Sequence, residues 1–160
     1  MATIEGNLLG SGLRFAIVQA RFNDFIGQRL AEGAQGALRQ HGVNADDIDI
    51  ILVPGSWELP LAVQRAARSG RYDAIVALGV LIRGQTAHFE YIAGEATRGL
   101  GAISREADVP IGFGVLTVEN MEQAMDRAGV KLGNKGAEAA LAALEMATLL
   151  RAIGQHGAAK

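Results

Sequence analysis

AIVALGVLIRGQTAHFEYIAGEATRGLGAISREA, residues 74–107, is the stretch from which the fold follows. Ala74–Ile82 is short, apolar and rich in β-branched residues, as a strand covered on both faces must be. Arg83–Ala87 reads as a loop, and a helix follows from about His88 to Ala107. The same cycle recurs on either side. Arg14–Ala20 reads as a strand, and from Asp24 to His41 the apolar residues Ile26, Leu30, Ala34 and Leu38 recur every four positions as a helix stripe that Gly42 ends. Ile48–Val53 is a second strand, Pro54-Gly55-Ser56 a turn, and a helix runs from about Trp57 to Ser69 with Pro60 in its first turn. Pro110–Val118 is the fourth strand, followed by a helix near Glu119–Ala128. Lys131–Gly136 then breaks the chain before a last helix, Ala137–Ile153.

Strands alternating with helices imply an α/β protein, a parallel sheet with helices on both faces. Right-handed crossovers make this a flavodoxin-like three-layer α/β/α sandwich, its four parallel strands in the order 2-1-3-4. One domain is expected over residues 1–160, with 1–13 an extended N-terminal arm and 154–160 a loose C-terminal tail. A chain of 160 residues buries about two-thirds of its unfolded surface, enough for a full core. The absence of cysteine excludes disulfides, thiolate zinc sites, iron–sulfur clusters and thiol nucleophiles. A net charge of −2 speaks against a nucleic-acid footprint. No signal or membrane-spanning run is readable, so no membrane partner and a cytoplasmic location are expected. The last helix, AEAALAALEMATLLRAI, is apolar on nearly every face, which implies a homo-oligomer with this helix in its interface, the other reading being an alanine-rich surface helix of high propensity.

Sheets of this type bind ligands outside the carboxyl ends of their strands. Those ends are Arg21-Phe22-Asn23, Gly55-Ser56-Trp57-Glu58, Arg83 to His88, and Thr117 onward. A lone histidine is commonly an ordinary polar residue, but His88 stands at a strand end beside Gly84 and Thr86, where proton transfer is wanted. His41 falls in the last turn of a helix and reads as structural; His156 falls in the tail. Gly84-Gln85-Thr86 offers N–H groups and a hydroxyl at a helix N-terminus, an anion site. Arg127 suits a two-pronged phosphate contact, although an arginine ending a helix commonly serves only the dipole. Phe22 and Trp57 suit stacking on a flat heterocycle, although aromatics at strand ends commonly cap the core. Phe113, between Gly112 and Gly114, suggests another surface approaching closely. Dinucleotide, Walker A and Gly-x-Ser-x-Gly signatures are absent, and His88 and Glu90 lack a third ligand for a metal.

Six segments in order, ARFND, VPGSWELP, ALGVLIRGQTAHFEYI, FGVLTVEN with EQA, DRAG and GNKGAEAA, resemble the 6,7-dimethyl-8-ribityllumazine synthase family over residues 20–140. The resemblance implies a single lumazine synthase domain and a transferase of riboflavin biosynthesis. It condenses 5-amino-6-(D-ribitylamino)uracil with 3,4-dihydroxy-2-butanone 4-phosphate, releasing phosphate and water, with no cofactor or metal. It implies His88 as the proton-transfer residue and Phe22 stacked on the uracil. It implies Ser56, Trp57 and Glu58 on the ribityl chain, and Val80, Leu81 and Ile82 lining the ring pocket. Gln85, Thr86 and Arg127 would bind phosphate, and Phe113 and Lys135 would reach in from a neighbouring subunit. Pentamers are implied, and the short Val130–Gly136 link favours a closed icosahedral shell of 60 subunits, with riboflavin synthase as a partner it would enclose. Two other readings share the fold. A non-catalytic lumazine- or flavin-binding scaffold would not need His88, Thr86 and Arg127 together. A flavodoxin-like electron carrier would carry a hydroxyl-rich loop where ARFND stands.

Overall fold

The computed structural model describes residues 1–158. Its elements are β1 (Phe15–Ala20), α1 (Asp24–Gln40), β2 (Ile48–Val53), α2 (Leu59–Arg68), β3 (Ala74–Ile82), α3 (His88–Ala107), β4 (Ile111–Val118), α4 (Met121–Arg127) and α5 (Lys135–Ala158). A 3-10 turn at Ser56–Glu58 precedes α2. The sheet is parallel throughout, in the order β2-β1-β3-β4. In register, Ile17 pairs with Ile50 on one side and Val76 on the other, and Val76 pairs with Gly112. This is the expected sandwich, with β1 and β3 central and therefore apolar on both faces.

Alternate residues of the strands feed two cores. Phe15, Ile17, Val76, Leu78 and Leu116 pack with Ile26, Leu30 and Leu38 of α1, Ala124 of α4, and Ala140 and Leu144 of α5. Ala16, Val18, Ile75, Ala77 and Val115 pack on the other face with Leu59 and Val63 of α2 and Leu100 and Ile103 of α3. Among the described residues no helix is long and apolar enough to cross a membrane.

Three expectations change. The glycines flanking Phe113 serve close contacts inside the chain. A Cβ on Gly112 would collide with the carbonyl of Ala139 on α5, and one on Gly114 with Leu78. Phe113 itself points to the opposite face and is exposed. Secondly, α5 begins two residues early, at Lys135. The side chain of Asn134 accepts the Ala137 N–H at 3.1 Å and so caps it, a signal that outranks the apolar pattern. It also continues to Ala158, so His156 is helical and only residues 159 and 160 of the expected tail lie outside the described residues. Thirdly, the apolar character of α5 is partly spent within the chain. Gly136, Ala139, Ala140, Ala143, Leu144 and Ala147 are buried, leaving Met146 and Ile153 among the exposed apolar side chains. Residues 1–10 form no regular element; Asn7 exchanges hydrogen bonds with Thr148 of α5, its N–H reaching Oγ1 at 2.8 Å.

Candidate active site

The carboxyl ends of β1, β2 and β3 open into one cavity of about 510 Å³, within the range of small-molecule sites. Its floor is the end of β3, Val80, Leu81 and Ile82. Backbone pairing brings the β1 and β2 ends together: the Arg21 N–H donates to Val53 at 2.8 Å and the Phe22 N–H to Pro54 at 3.1 Å. Phe22 is thereby held at the rim, 71% exposed. Asn23 adopts the left-handed conformation, φ 60°, and its amide donates to the Val80 carbonyl at 3.0 Å, locking the turn into α1 onto β3. An asparagine tolerates that conformation better than most residues.

The Ser56–Glu58 turn forms the facing wall. The Glu58 N–H closes it onto the Gly55 carbonyl at 3.2 Å. Ser56 is a buried polar residue whose hydroxyl has no partner among the described residues, and it is not sealed from solvent. A hydrogen-bonding group facing a cavity unpaired is a group free for a ligand. Trp57 is 56% exposed over the same space. From the third side come Gly84 and Thr86 of the loop and His88, Phe89 and Ile92 of the first turns of α3. A rigid floor, two exposed aromatics, a free hydroxyl, a carboxylate and an imidazole together suit a flat polar heterocycle with a hydroxylated chain.

Phe22, Ser56, Trp57, Glu58, Val80, Leu81, Ile82, Thr86 and His88 thus meet as expected by position. Gln85 is exposed in the loop and does not line the cavity. Arg127, Phe113 and Lys135 do not join it either. They line a second groove, about 220 Å³, along β4, which is an edge strand. Arg127 donates to the Gln123 carbonyl at 3.1 Å and forms no ion pair among the described residues, while Lys135 pairs with Glu138 at 2.7 Å. The charge of Arg127 is therefore available to a ligand. Sequence reasoning had not singled out Asn23, Phe89 and Ile92 as site residues. The asparagine before the start of α1 and the i, i+4 spacing of His88 and Ile92 were the available signals, and Phe89 had none.

The family model described as 6,7-dimethyl-8-ribityllumazine synthase matches residues 12–151. Two curated relatives bear the same name. That of Chlorobaculum tepidum is 57% identical over 150 residues, covering 94% of this chain and 97% of the relative. That of Chlorobaculum parvum is 54% identical over 151 residues, with the same shares covered.

Proposed function

Because the chain belongs to the 6,7-dimethyl-8-ribityllumazine synthase family, we propose how the residues of its cavity and groove divide the work of that reaction. The enzyme condenses ribitylaminouracil with the butanone phosphate in riboflavin biosynthesis. The uracil ring stacks on Phe22 over Val80, Leu81 and Ile82. Its ribityl hydroxyls bond to Ser56 and Glu58 beneath Trp57. The 5-amino group attacks the ketone carbonyl, and loss of water leaves an imine. Elimination of phosphate follows, and the second amine attacks the remaining carbonyl and closes the ring with loss of a second water. His88 moves protons in these steps, and holding the two reactants in line supplies much of the remaining acceleration. Thr86 and the N–H groups of the Gly84–Gln85 turn hold the phosphate from one side, and Arg127 from the other.

One observation supports this arrangement: Phe22, Ser56, Glu58, Thr86 and His88 line one depression of the chain, and Phe113, Arg127 and Lys135 line another. Small-molecule substrates and oligomeric assembly are general to the family. We infer that the β4 groove of one copy, with Phe113, Arg127 and Lys135, closes the cavity of the next. A homopentamer is the cyclic assembly proposed, and the short Val130–Gly136 link favours pentamers joining into a 60-subunit icosahedral shell, with riboflavin synthase as a candidate guest and the cytoplasm as location. Subunit mixing tests the shared site. His88→Ala and Arg127→Ala proteins, each impaired alone, are co-refolded in equal amounts. Random neighbours leave about one interface in four with both walls intact, so lumazine formation returns to about a quarter of wild type. No recovery would place both residues in the same subunit's site. Sedimentation at several protein concentrations checks the shell, and free pentamers throughout would refute it.

A further inference from the structure

Arg83 is the charged group beside the cavity to which the roles above assign nothing. It follows β3 directly, and its N–H donates to the Val118 carbonyl at 2.8 Å, extending the β3–β4 pairing by one residue. Its guanidinium meets two carboxylates. Nη1 bonds to Glu90 Oε1 on the first turn of α3, and Nε lies 3.0 Å from Glu119 Oε2 just beyond β4. Its Cζ also sits 4.6 Å from the centroid of the Phe89 ring, and Phe89 lines the cavity.

Exposed ion pairs of this kind add little to global stability. Their placement matters more. The Arg83–Glu90 pair closes a ring around residues 84–89, the segment that carries Thr86 and His88. Within one chain little else restrains that segment. Ala87 at the N-terminus of α3 provides no side-chain cap. A Cβ on Gly84 would meet nothing within 4 Å, and Gln85, Thr86, Ala87 and His88 are all exposed. Glu119 ties the same bracket to the end of β4, on the edge where the second groove begins.

We propose that Arg83 is a positioning residue: by bracketing residues 84–88 between Glu90 and Glu119 and stacking on Phe89, it holds Thr86 and His88 at the cavity. The inference rests on the roles given above to Thr86 and His88. Ordering a catalytic loop before reaction removes an entropic cost from the reacting complex, and small misplacements are expensive. The uracil side of the site, on β1, the turn after β2 and the floor of β3, does not depend on the bracket.

Steady-state kinetics with each substrate varied in turn tests this. Arg83→Gln is expected to lower kcat about ten- to a hundredfold and to raise KM for the butanone phosphate several-fold. KM for ribitylaminouracil and the melting temperature stay near wild type. Arg83→Lys, which keeps the charge but cannot span both carboxylates, falls between. Glu90→Gln and Glu119→Gln each reproduce the same split more weakly, by routes that leave Arg83 in place. Arg83→Gln with wild-type kcat and KM values, while His88→Ala is slow, would overturn the assignment. So would equal rises in KM for both substrates. Wild-type kinetics in both Thr86→Ala and His88→Ala would instead overturn the roles on which it rests.

Discussion

Gly79→Ala separates the fold from the site more sharply than any substitution of a functional side chain. Gly79 lies in β3 opposite Val115, beneath the Ser56–Glu58 turn. A Cβ there would lie 2.7 Å from Ser56 Oγ, 3.3 Å from Leu59 Cδ1 and 3.6 Å from Ala20 Cβ. The first distance demands movement, and that atom is the tip of a side chain able to turn about one bond; the Leu59 methyl need give only by a few tenths of an ångström. Two stability terms then oppose one another. Alanine recovers roughly 0.5–1 kcal/mol of backbone entropy, and displacing Ser56 from its rotamer costs roughly 0.5–1.5 kcal/mol. Global stability therefore changes by no more than about 1 kcal/mol. The site bears the larger effect. Turning the Ser56 hydroxyl aside removes one ligand hydrogen bond, about 0.5–1.5 kcal/mol, or roughly a two- to twelvefold loss of affinity. Titration of the ribitylaminouracil, with a melting curve alongside, reads both quantities. Ser56→Ala alone should lose the same affinity. Gly79→Ala added to Ser56→Ala should lose no more and should gain stability, because the atom it strikes is gone. The two changes are thus coupled in a double-mutant cycle. An equal affinity loss from Gly79→Ala in both backgrounds would mean that backbone, not the hydroxyl, had moved, and would refute the reasoning.

Other outcomes follow from the same geometry. Gly136→Ala places a Cβ against the Leu30 carbonyl, with the Leu30 Cα only 2.9 Å away, where only helix separation relieves it. Overpacking of that kind costs about 1–3 kcal/mol and should lower the melting temperature by about 2–12 °C in calorimetry; an unchanged midpoint contradicts the close α1–α5 contact. His88→Ala should slow turnover about a hundredfold with substrate binding preserved, and wild-type turnover would remove His88 from the mechanism. The hydrogen bond from Arg83 holds the Glu90 carboxyl below its usual range. The pairing is therefore intact above the unfolded carboxyl value of about 4.3, and is lost as pH falls through the lower folded value. The kinetic difference between wild type and Glu90→Gln should stay constant from pH 7 to about pH 5 and close only in stronger acid. A difference that vanishes between pH 7 and pH 6 would refute the pairing.

Much of this protein is legible in its sequence. Strand–helix alternation points to a parallel sheet between two helix layers, because parallel strands need crossovers of fixed hand and must be covered on both faces. The same rule points to the strand ends, so Phe22, Ser56–Glu58, Val80–Ile82, Thr86 and His88 could be grouped without distances. What could not be read depended on contacts between elements distant in sequence. Whether Arg127 faces the cavity or the outer edge of β4 depends on how α4 leaves the sheet, and no local pattern records that. The start of α5 was set by Asn134, whose amide also donates to the Arg29 carbonyl of α1 at 2.9 Å, and the apolar repeat carries no trace of that bond. The glycines beside Phe113 looked like room for a visitor, whereas the visitors are α5 and Leu78 of the same chain. Arg83 reads as an ordinary charged loop residue until folding brings Glu90 and Glu119 to it. Local periodicity and strand direction are properties of the chain and were determined by the sequence alone. That Arg127 lies in a groove apart from the cavity, and that Arg83 meets both Glu90 and Glu119, are properties of packing, and only the tertiary structure decided them.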